Sequence, residues 1–221
     1  MRRFLRDQGL AITMFGIFAV TMVGLVLTGW NNYNGEQIEH SMPTITMAQY
    51  LTTPSFGEAV FENWESEFLQ MGAYVLLTAF LFSRGSSESK DPDSDAAPQD
   101  ADPRRANTRK QVPWPVRAGG ITLVLYEHSL TLALFGIFAA SFVLHAVTGA
   151  GEYSEELLAH GGRAVSAVEY LGTARFWFES FQNWQSEFLA VGALIVLSIV
   201  LRERGSPESK PVTASHGTTG S

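Results

Sequence analysis

Two short stretches of the chain carry the side chains whose types and spacing could perform chemistry. Each reads Phe-x-Asn-Trp-x-Ser-Glu-Phe-Leu, at residues 61–69 and again at residues 181–189. On a helix, the Asn, Ser and Glu of each stretch fall at positions i, i+3 and i+4, so they form one polar stripe. The six stripe residues are Asn63, Ser66, Glu67, Asn183, Ser186 and Glu187. Two carboxylates held close together repel and split their pKa values, which is the chemistry of a cation or proton site.

The two carboxylates of the stripes, Glu67 and Glu187, allow two interpretations. In one, they form a paired-carboxylate site that binds a cation or carries a proton. In the other, each Glu accepts hydrogen bonds from neighbouring Asn, Ser, Trp or loop amide groups and locks helices together. We favour the second interpretation, because the stripes offer enough local partners and no other residue in the apolar segments indicates a conduction path.

Aromatic residues accompany both stretches. In the second, Trp177, Phe181 and Trp184 follow one another at spacings of four and three residues, which places them on one helix face. Trp64 holds the position in the first stretch that Trp184 holds in the second. Because aromatic residues concentrate at the boundary between membrane and water, we expect these four residues to form an aromatic belt.

The two stretches belong to a longer internal repeat. Residues 10–90 align with residues 130–210 at a constant offset of 120, without a gap. Phe-Gly-Ile-Phe-Ala at 15–19 returns at 135–139, and Arg-Gly-Ser at 84–86 returns at 204–206. A constant offset over this length is typical of a tandem duplication, in which one repeat predicts the fold of the other.

Each repeat contains two apolar segments that suit a membrane. Residues 10–27 form a run of eighteen residues without charge, and residues 130–147 are its copy, interrupted only by His145. About 20 helical residues cross a hydrocarbon core of about 30 Å. We therefore predict an all-α integral membrane protein with four transmembrane helices, built as two parallel helical hairpins with short outer interfacial helices. The four predicted spans are about 10–29, 62–83, 126–148 and 178–202.

Composition separates the membrane repeats from the remaining chain. Repeat 1 occupies residues 1–85 and repeat 2 occupies residues 118–204. The linker at 86–117 and the tail at 205–221 are rich in polar residues and poor in apolar ones. Such segments cannot bury enough apolar surface to offset the entropy of ordering, so we predict that both are disordered.

Charged residues predict the orientation of the chain. Residues 30–68 contain six acids and no Lys or Arg, whereas Arg2, Arg3 and Arg6 precede the first span. Positive residues are retained on the cytoplasmic side of a membrane. We therefore expect both termini and the linker in the cytoplasm, and the acidic segments outside. The expected location is the cytoplasmic membrane.

Other patterns for catalysis or metal binding are weak in this sequence. His40 and His160 occupy equivalent positions near Glu36 and Glu156, but no H-x-x-x-H or E-x-x-H spacing supports a metal site. The sequence contains no Cys, no Gly-rich phosphate loop, no nucleophile elbow and no H-E-x-x-H motif. We expect no enzymatic activity, no metal, no cofactor and no nucleic-acid partner.

The Phe-Gly-Ile-Phe and Phe-x-Asn-Trp-x-Ser-Glu-Phe-Leu elements together resemble those of a bacterial family of small integral membrane proteins without an assigned function. The resemblance covers both repeats and excludes the linker and tail. It implies a membrane location and contributes no catalytic or binding residue. The leading hypothesis is a structural or interaction protein of the cell envelope, whose partners are the lipid bilayer and a second copy or another envelope protein. The alternative is a transporter or channel component for ions or protons that uses the paired outer carboxylates.

Overall fold

The computed structural model describes residues 2–94, 98–105 and 112–220 of the chain. Every regular element in these residues is helical, as the sequence predicts. The long helices are α2 (Gly9–Glu39), α4 (Pro54–Thr78), α7 (Ser129–Ala159) and α9 (Ala174–Val200). The short helices are α1 (Arg2–Asp7), α3 (Met47–Tyr50), α5 (Trp114–Ala118), α6 (Gly120–Glu127) and α8 (Ala167–Leu171), with 3-10 turns at Pro98–Asp100 and Pro103–Arg105.

Three helices are long and apolar enough to cross a membrane, namely α2, α7 and α9. They coincide with three of the four predicted spans and indicate a membrane protein. The fourth predicted span, at 62–83, corresponds to α4, which ends at Thr78 and carries acids as far along as Glu67. Residues 68–78 beyond these acids cover only about 16 Å at 1.5 Å per residue. A fourth span therefore stays a prediction.

The chain divides into two compact units. Unit 1 consists of Met1–Phe61 and Leu144–Gly172, and unit 2 consists of Glu62–Val143 and Thr173–Ser221. Each unit contains parts of both predicted repeats, because the division passes through α4 and α7.

In unit 1, the short helices α3 and α8 begin in the same way. The hydroxyl of Thr46 accepts a hydrogen bond from the backbone of Gln49, and the hydroxyl of Ser166 accepts one from Glu169. The Gln49 and Glu169 side chains bind back to the backbone N–H of the cap residue. Such capping boxes satisfy two backbone donors each and fix the first helical turn. The position of these two short helices at a membrane surface stays a prediction.

Each of these two short helices also buries a tyrosine against a glycine of a long helix. Tyr50 is 3% exposed and Tyr170 is fully buried. A Cβ atom at Gly149 would lie 2.5 Å from Cε1 of Tyr170, and one at Gly29 would collide with the hydroxyl of Tyr50. Glycine is therefore required at both positions for the ring to approach the helix.

The start of α4 packs against the end of α7, also within unit 1. A Cβ atom at Gly57 would lie 2.5 Å from Cγ2 of Thr148, and one at Gly151 would lie 2.8 Å from the Pro54 ring. Small residues allow two helix backbones to come this close. The contact brings Glu58, which follows Gly57, beside α7.

In unit 2, α4 and α9 run in the same direction. Glu62 and Glu65 of α4 meet Asn183 and Trp184 of α9 in the same order. Further along, Ser86 in the loop after α4 shares a 2.8 Å hydrogen bond with Ser198 near the end of α9. The two helices are therefore side by side and parallel over their length in this unit.

The loops that follow α4 and α9 have the same local structure. The Ser89 hydroxyl accepts a hydrogen bond from the N–H of Ser83 at 2.8 Å, and the Ser209 hydroxyl accepts one from Glu203 at 2.9 Å. The sequence Arg-Gly-Ser-x-Glu-Ser-Lys, found at 84–90 and 204–210, thus folds into the same turn twice.

The lysine that ends each loop has different partners. Lys90 Nζ lies 2.8 Å from Oδ1 of Asp100. Lys210 is fully buried, and this burial lowers its pKa. It donates to four backbone carbonyls, those of Gly85, Ser215, His216 and Thr218.

The predicted disorder of the linker at 86–117 and the tail at 205–221 stays a prediction. Residues 95–97, 106–111 and 221 lie outside the described residues. In the described part of the tail, the bonds from Lys210 join the tail to the loop that follows α4.

Candidate functional site

Two hydrogen bonds to carboxylates of α4 join it to α9. Asn183 Nδ2 donates to Oε1 of Glu62 at 2.5 Å, and Trp184 Nε1 donates to Oε1 of Glu65 at 3.0 Å. Glu65 has no exposed surface. Hydrogen bonds to charged groups contribute about 1.5–3 kcal/mol each, and more is lost when the buried partner is stranded. We call these four residues the carboxylate ladder.

The ladder uses only part of the predicted site. It contains Asn183 from the polar stripes and Trp184 from the predicted belt. Ser66 and Ser186 instead donate to the carbonyls of Asn63 and Asn183, in their own helices, at 2.9 and 2.8 Å. A hydroxyl that bonds back to its own helix needs no partner from another helix. The serines therefore belong to the helix backbone rather than to the contact between helices.

The predicted carboxylate pair lies outside the ladder. Glu67 is exposed and Glu187 is half-buried. The two are close enough for their charges to interact. Asn63, the remaining stripe residue, is exposed. The stripe of α4 thus turns Ser66 inward and its other two members outward.

The ladder acceptors Glu62 and Glu65 were missed by the reasoning from sequence, although a signal was present. Between residues 61–69 and 181–189, the two repeats differ at two positions only. The first repeat has Glu62 and Glu65 where the second has Gln182 and Gln185, and both glutamines are exposed. The repeat is broken at the two positions that accept hydrogen bonds from the other helix.

The predicted belt residues of α9 form a continuous aromatic cluster. The ring centroids of Trp177 and Phe181 are 5.6 Å apart, and those of Phe181 and Trp184 are 5.5 Å apart. From α7, Phe138 lies 6.5 Å from Trp184 and Phe142 lies 6.5 Å from Trp177. The cluster orients the Trp184 indole whose N–H binds Glu65.

Trp64, the belt residue of the first repeat, is half-buried. The location of the four belt residues at a membrane boundary stays a prediction.

A second group of buried polar side chains lies in unit 1. Glu58 is 7% exposed, and His145 and Tyr170 are fully buried. The Tyr170 hydroxyl donates to Oε1 of Glu58 at 3.3 Å. A carboxylate oxygen of Glu58 and a ring nitrogen of His145 lie within 4.8 Å of each other. A carboxylate beside an imidazole is chemically able to hold or pass a proton.

Two residues of this buried group, Glu58 and His145, stand at positions where the two repeats have different residues. Glu58 aligns with Phe178, and His145 aligns with Leu25. Phe178 is 67% exposed, so the equivalent position in the second repeat has no buried polar role. His145 is visible in the sequence as an exception to the repeat, whereas its neighbour Glu58 lies on another helix and is not indicated by any spacing.

The equivalent histidines His40 and His160 line one open pocket of about 250 Å³ in unit 1, together with Glu36 and Glu156. Each histidine follows its glutamate by four residues, which is a neighbouring position on a helix. All four residues are exposed. The expectation that they hold no metal stays a prediction.

The short helix α8 carries an ion pair at its start. Arg163 Nη2 donates to Oε1 of Glu169 at 2.7 Å. This bond, together with the bonds from Ser166, lowers the pKa of Glu169 to about 2. At the equivalent position α3 has the neutral Gln49, so the two capping boxes differ in charge.

In the part of the chain that the structure describes, every regular element is helical and three helices are apolar enough to cross a membrane, which indicates a helical membrane protein. The chain belongs to the family DUF6766, described as a domain of unknown function, whose family model matches residues 1–221. No curated protein matches the chain, and no solved structure matches it.

Proposed function

We propose that the chain is a structural or interaction protein of the cell envelope, without enzymatic activity, whose helices are held together by the carboxylate ladder. The observation that supports this most strongly is the bond from Trp184 to the fully buried Glu65. A carboxylate held by a fixed indole donor and shielded from solvent is suited to joining helices. It is poorly suited to exchanging ions with water.

We also propose that the chain is a tandem duplication of a two-span hairpin, in which α4 is the fourth span. Several matched features support this. The helices α2 and α7 are both 31 residues long and begin 120 residues apart. The capping boxes at Thr46 and Ser166 and the turns at 84–90 and 204–210 also recur at this offset. The acids of α4 reach a neighbouring helix through the ladder, which lowers the cost of carrying them near hydrocarbon.

The proposed membrane is the bacterial cytoplasmic membrane, with both termini in the cytoplasm. The asymmetry of Lys and Arg between the flanking segments and the acidic segments supports this orientation. Fusions of a reporter that is active only outside the cytoplasm test it. Fusions after Gly35 or Glu156 should be active, and fusions at Pro98 or the C-terminus should be silent. An active fusion at Pro98 would reverse the orientation.

The proposed partners are the lipid bilayer and either a second copy of the chain or another envelope protein. No residue of α2 is buried, although this helix is the most apolar of the three candidate spans. Such a surface is suited to lipid or to another membrane protein. Cross-linking in intact membranes tests the partner, and a chain that is only monomeric and uncross-linked would contradict the protein partner.

A second candidate function is ion or proton transport. The buried Glu58, His145 and Tyr170 favour it, because ionisable residues shielded within membrane helices commonly mark a proton or ion pathway. The interacting charges of Glu67 and Glu187 would be a further element of such a pathway.

Ion and proton flux in proteoliposomes separates the two functions. The packing proposal expects wild-type protein to give the flux of empty liposomes, and Glu67→Gln/Glu187→Gln and Glu58→Gln to give the same. Flux in the wild type that either variant abolishes would contradict the packing proposal. Greater stability of Glu67→Gln/Glu187→Gln than of the wild type would also count against the packing proposal. Relief of repulsion between two carboxylates is expected of a paired-carboxylate site.

A further inference from the structure

A groove of about 260 Å³ lies between α4 and α9 in unit 2. Most of its lining is apolar, from Leu77, Leu81, Phe82, Phe188, Val191 and Ile195. The helix α9 is apolar enough to cross a membrane, and the apolar lining of the groove suits a hydrocarbon chain. A helix of a second chain is about 10–12 Å across with its side chains. It could not enter a groove of this volume, whereas a single hydrocarbon chain could.

Gly192 of α9 is one of the residues that line the groove. A Cβ atom at this position would meet nothing within 4 Å. At the equivalent position of the first repeat, a Cβ atom at Gly72 would lie 3.4 Å from the ring of Phe135. One of two equivalent glycines is thus covered by an aromatic ring, and the other leaves an open space. Gly192 therefore contributes open space to the groove that it lines.

One end of the groove is polar and carries negative charge. The Tyr74 hydroxyl donates to Oε2 of Glu88 at 2.7 Å, and Gln70 lies nearby in the same lining. Among the described residues that line the groove, Glu88 is the sole charged side chain. A carboxylate at the end of an apolar groove favours an ammonium group and disfavours an anion.

We propose that this groove binds one acyl chain of a membrane lipid whose headgroup carries an ammonium group. The acyl chain lies over Gly192 between the apolar side chains of α4 and α9. The ammonium group lies at Glu88, in the loop that follows α4. This lipid site lies along the same pair of helices as the carboxylate ladder but uses none of its four residues.

Native mass spectrometry of the purified full chain, with phosphatidylethanolamine or phosphatidylglycerol added, tests the proposal. We expect the wild type to retain one phosphatidylethanolamine with about a tenfold preference over phosphatidylglycerol, equivalent to about 1.4 kcal/mol. Gly192→Leu fills the groove and should reduce binding of both lipids about tenfold. The matched control is Gly136→Leu, since Gly136 is equally open on α7 but does not line the groove. It should bind lipid as the wild type does.

Glu88→Gln separates the headgroup from the acyl chain. This variant lies outside the apolar helices and should fold even if Gly192→Leu does not. It should retain a bound lipid but lose the preference for phosphatidylethanolamine. Equal binding of the two lipids by the wild type, or an unchanged preference in Glu88→Gln, would overturn the headgroup assignment. Wild-type binding by a folded Gly192→Leu would overturn the groove itself.

Discussion

The helices α4 and α9 carry the same Asn-Trp-x-Ser-Glu element and use it differently. On α9, the Asn and Trp of the element donate hydrogen bonds to another helix. On α4, the partners are Glu62, just before the element, and Glu65, at its variable position, and α9 has exposed glutamines at both positions. The shared residues alone would give a symmetric contact. The two substituted positions are what make α4 the acceptor and α9 the donor.

Positions that agree between the repeats serve a different purpose. Tyr50 and Tyr170 each pack on a glycine of a preceding helix, and Thr46 and Ser166 each cap a short helix. These contacts are local and are completed within each copy. In the polar contacts that join different helices, the acceptors Glu58, Glu62 and Glu65 stand where the copies differ, whereas the donors Tyr170, Asn183 and Trp184 are residues that both copies share. The difference between the repeats therefore lies in the acceptors.

The largest expected effect comes from removing both ladder acceptors. In Glu62→Leu/Glu65→Leu, the Trp184 indole loses its acceptor, and the Asn183 amide keeps only its 3.3 Å hydrogen bond to the carbonyl of Glu179. The stranded indole costs about 1–3 kcal/mol and the lost Asn183 bond about 0.5–1.5 kcal/mol, so the pair should cost about 1.5–4.5 kcal/mol if the effects add. The measurement is the thermal midpoint in detergent.

The matched control for the ladder variant is Gln182→Leu/Gln185→Leu, at the equivalent exposed positions of α9. Exposed substitutions usually change stability by less than about 0.5 kcal/mol. Equal losses of stability in the two double variants would contradict the assignment of α4 as the hydrogen-bond acceptor and α9 as the donor.

A smaller effect is expected at the close contact between α4 and α7. In Gly57→Ala, the new Cβ atom would lie 2.5 Å from Cγ2 of Thr148, so one helix must shift. Overpacking of this kind typically costs about 1–3 kcal/mol. Gly35→Ala is the control, because a Cβ atom there meets nothing within 4 Å. A thermal midpoint of Gly57→Ala equal to that of the control would show that the contact is looser than described.

The smallest effect concerns the two capping boxes. Because the pKa of Glu169 is lowered to about 2 in the folded protein, its stabilising contribution is present above its ordinary value of 4.5. That contribution is lost as the pH falls from 4.5 toward 2. Glu169→Gln gives α8 the neutral cap residue that α3 already has, so it should remove this part of the acid sensitivity. Thermal midpoints recorded across this pH range check it, and identical acid profiles would contradict the role of the Arg163 ion pair.

The sequence was sufficient to predict the long helices, because runs such as 10–27 and 130–147 have no other stable arrangement in a membrane. It did not predict that α2 and α7 continue into the polar residues up to Glu39 and Ala159. Backbone hydrogen bonding extends a helix beyond its apolar run when the added residues face water. The end of α4 at Thr78 was also missed, because the apolar residues that follow it suggested a longer helix.

There is a physical reason why the sequence indicates only some of the residues in the carboxylate ladder. The spacing of Asn183, Ser186 and Glu187 predicts one face of one helix, but it carries no information about which neighbouring helix lies opposite. Hydrogen-bond partners such as Glu65 come from a separate element, so periodicity within a helix cannot identify them. The difference between the aligned repeats was the one signal in the sequence that pointed to these partners.

A double-mutant cycle between Glu65 and Trp184 tests the carboxylate ladder most directly. The cycle compares the unfolding free energies in detergent of the wild type, Glu65→Leu, Trp184→Phe and the double variant. A hydrogen bond to a charged group predicts a coupling energy of about 1.5–3 kcal/mol. A coupling energy within about 0.5 kcal/mol of zero, the range found for independent sites, would contradict a ladder that holds α4 and α9 together.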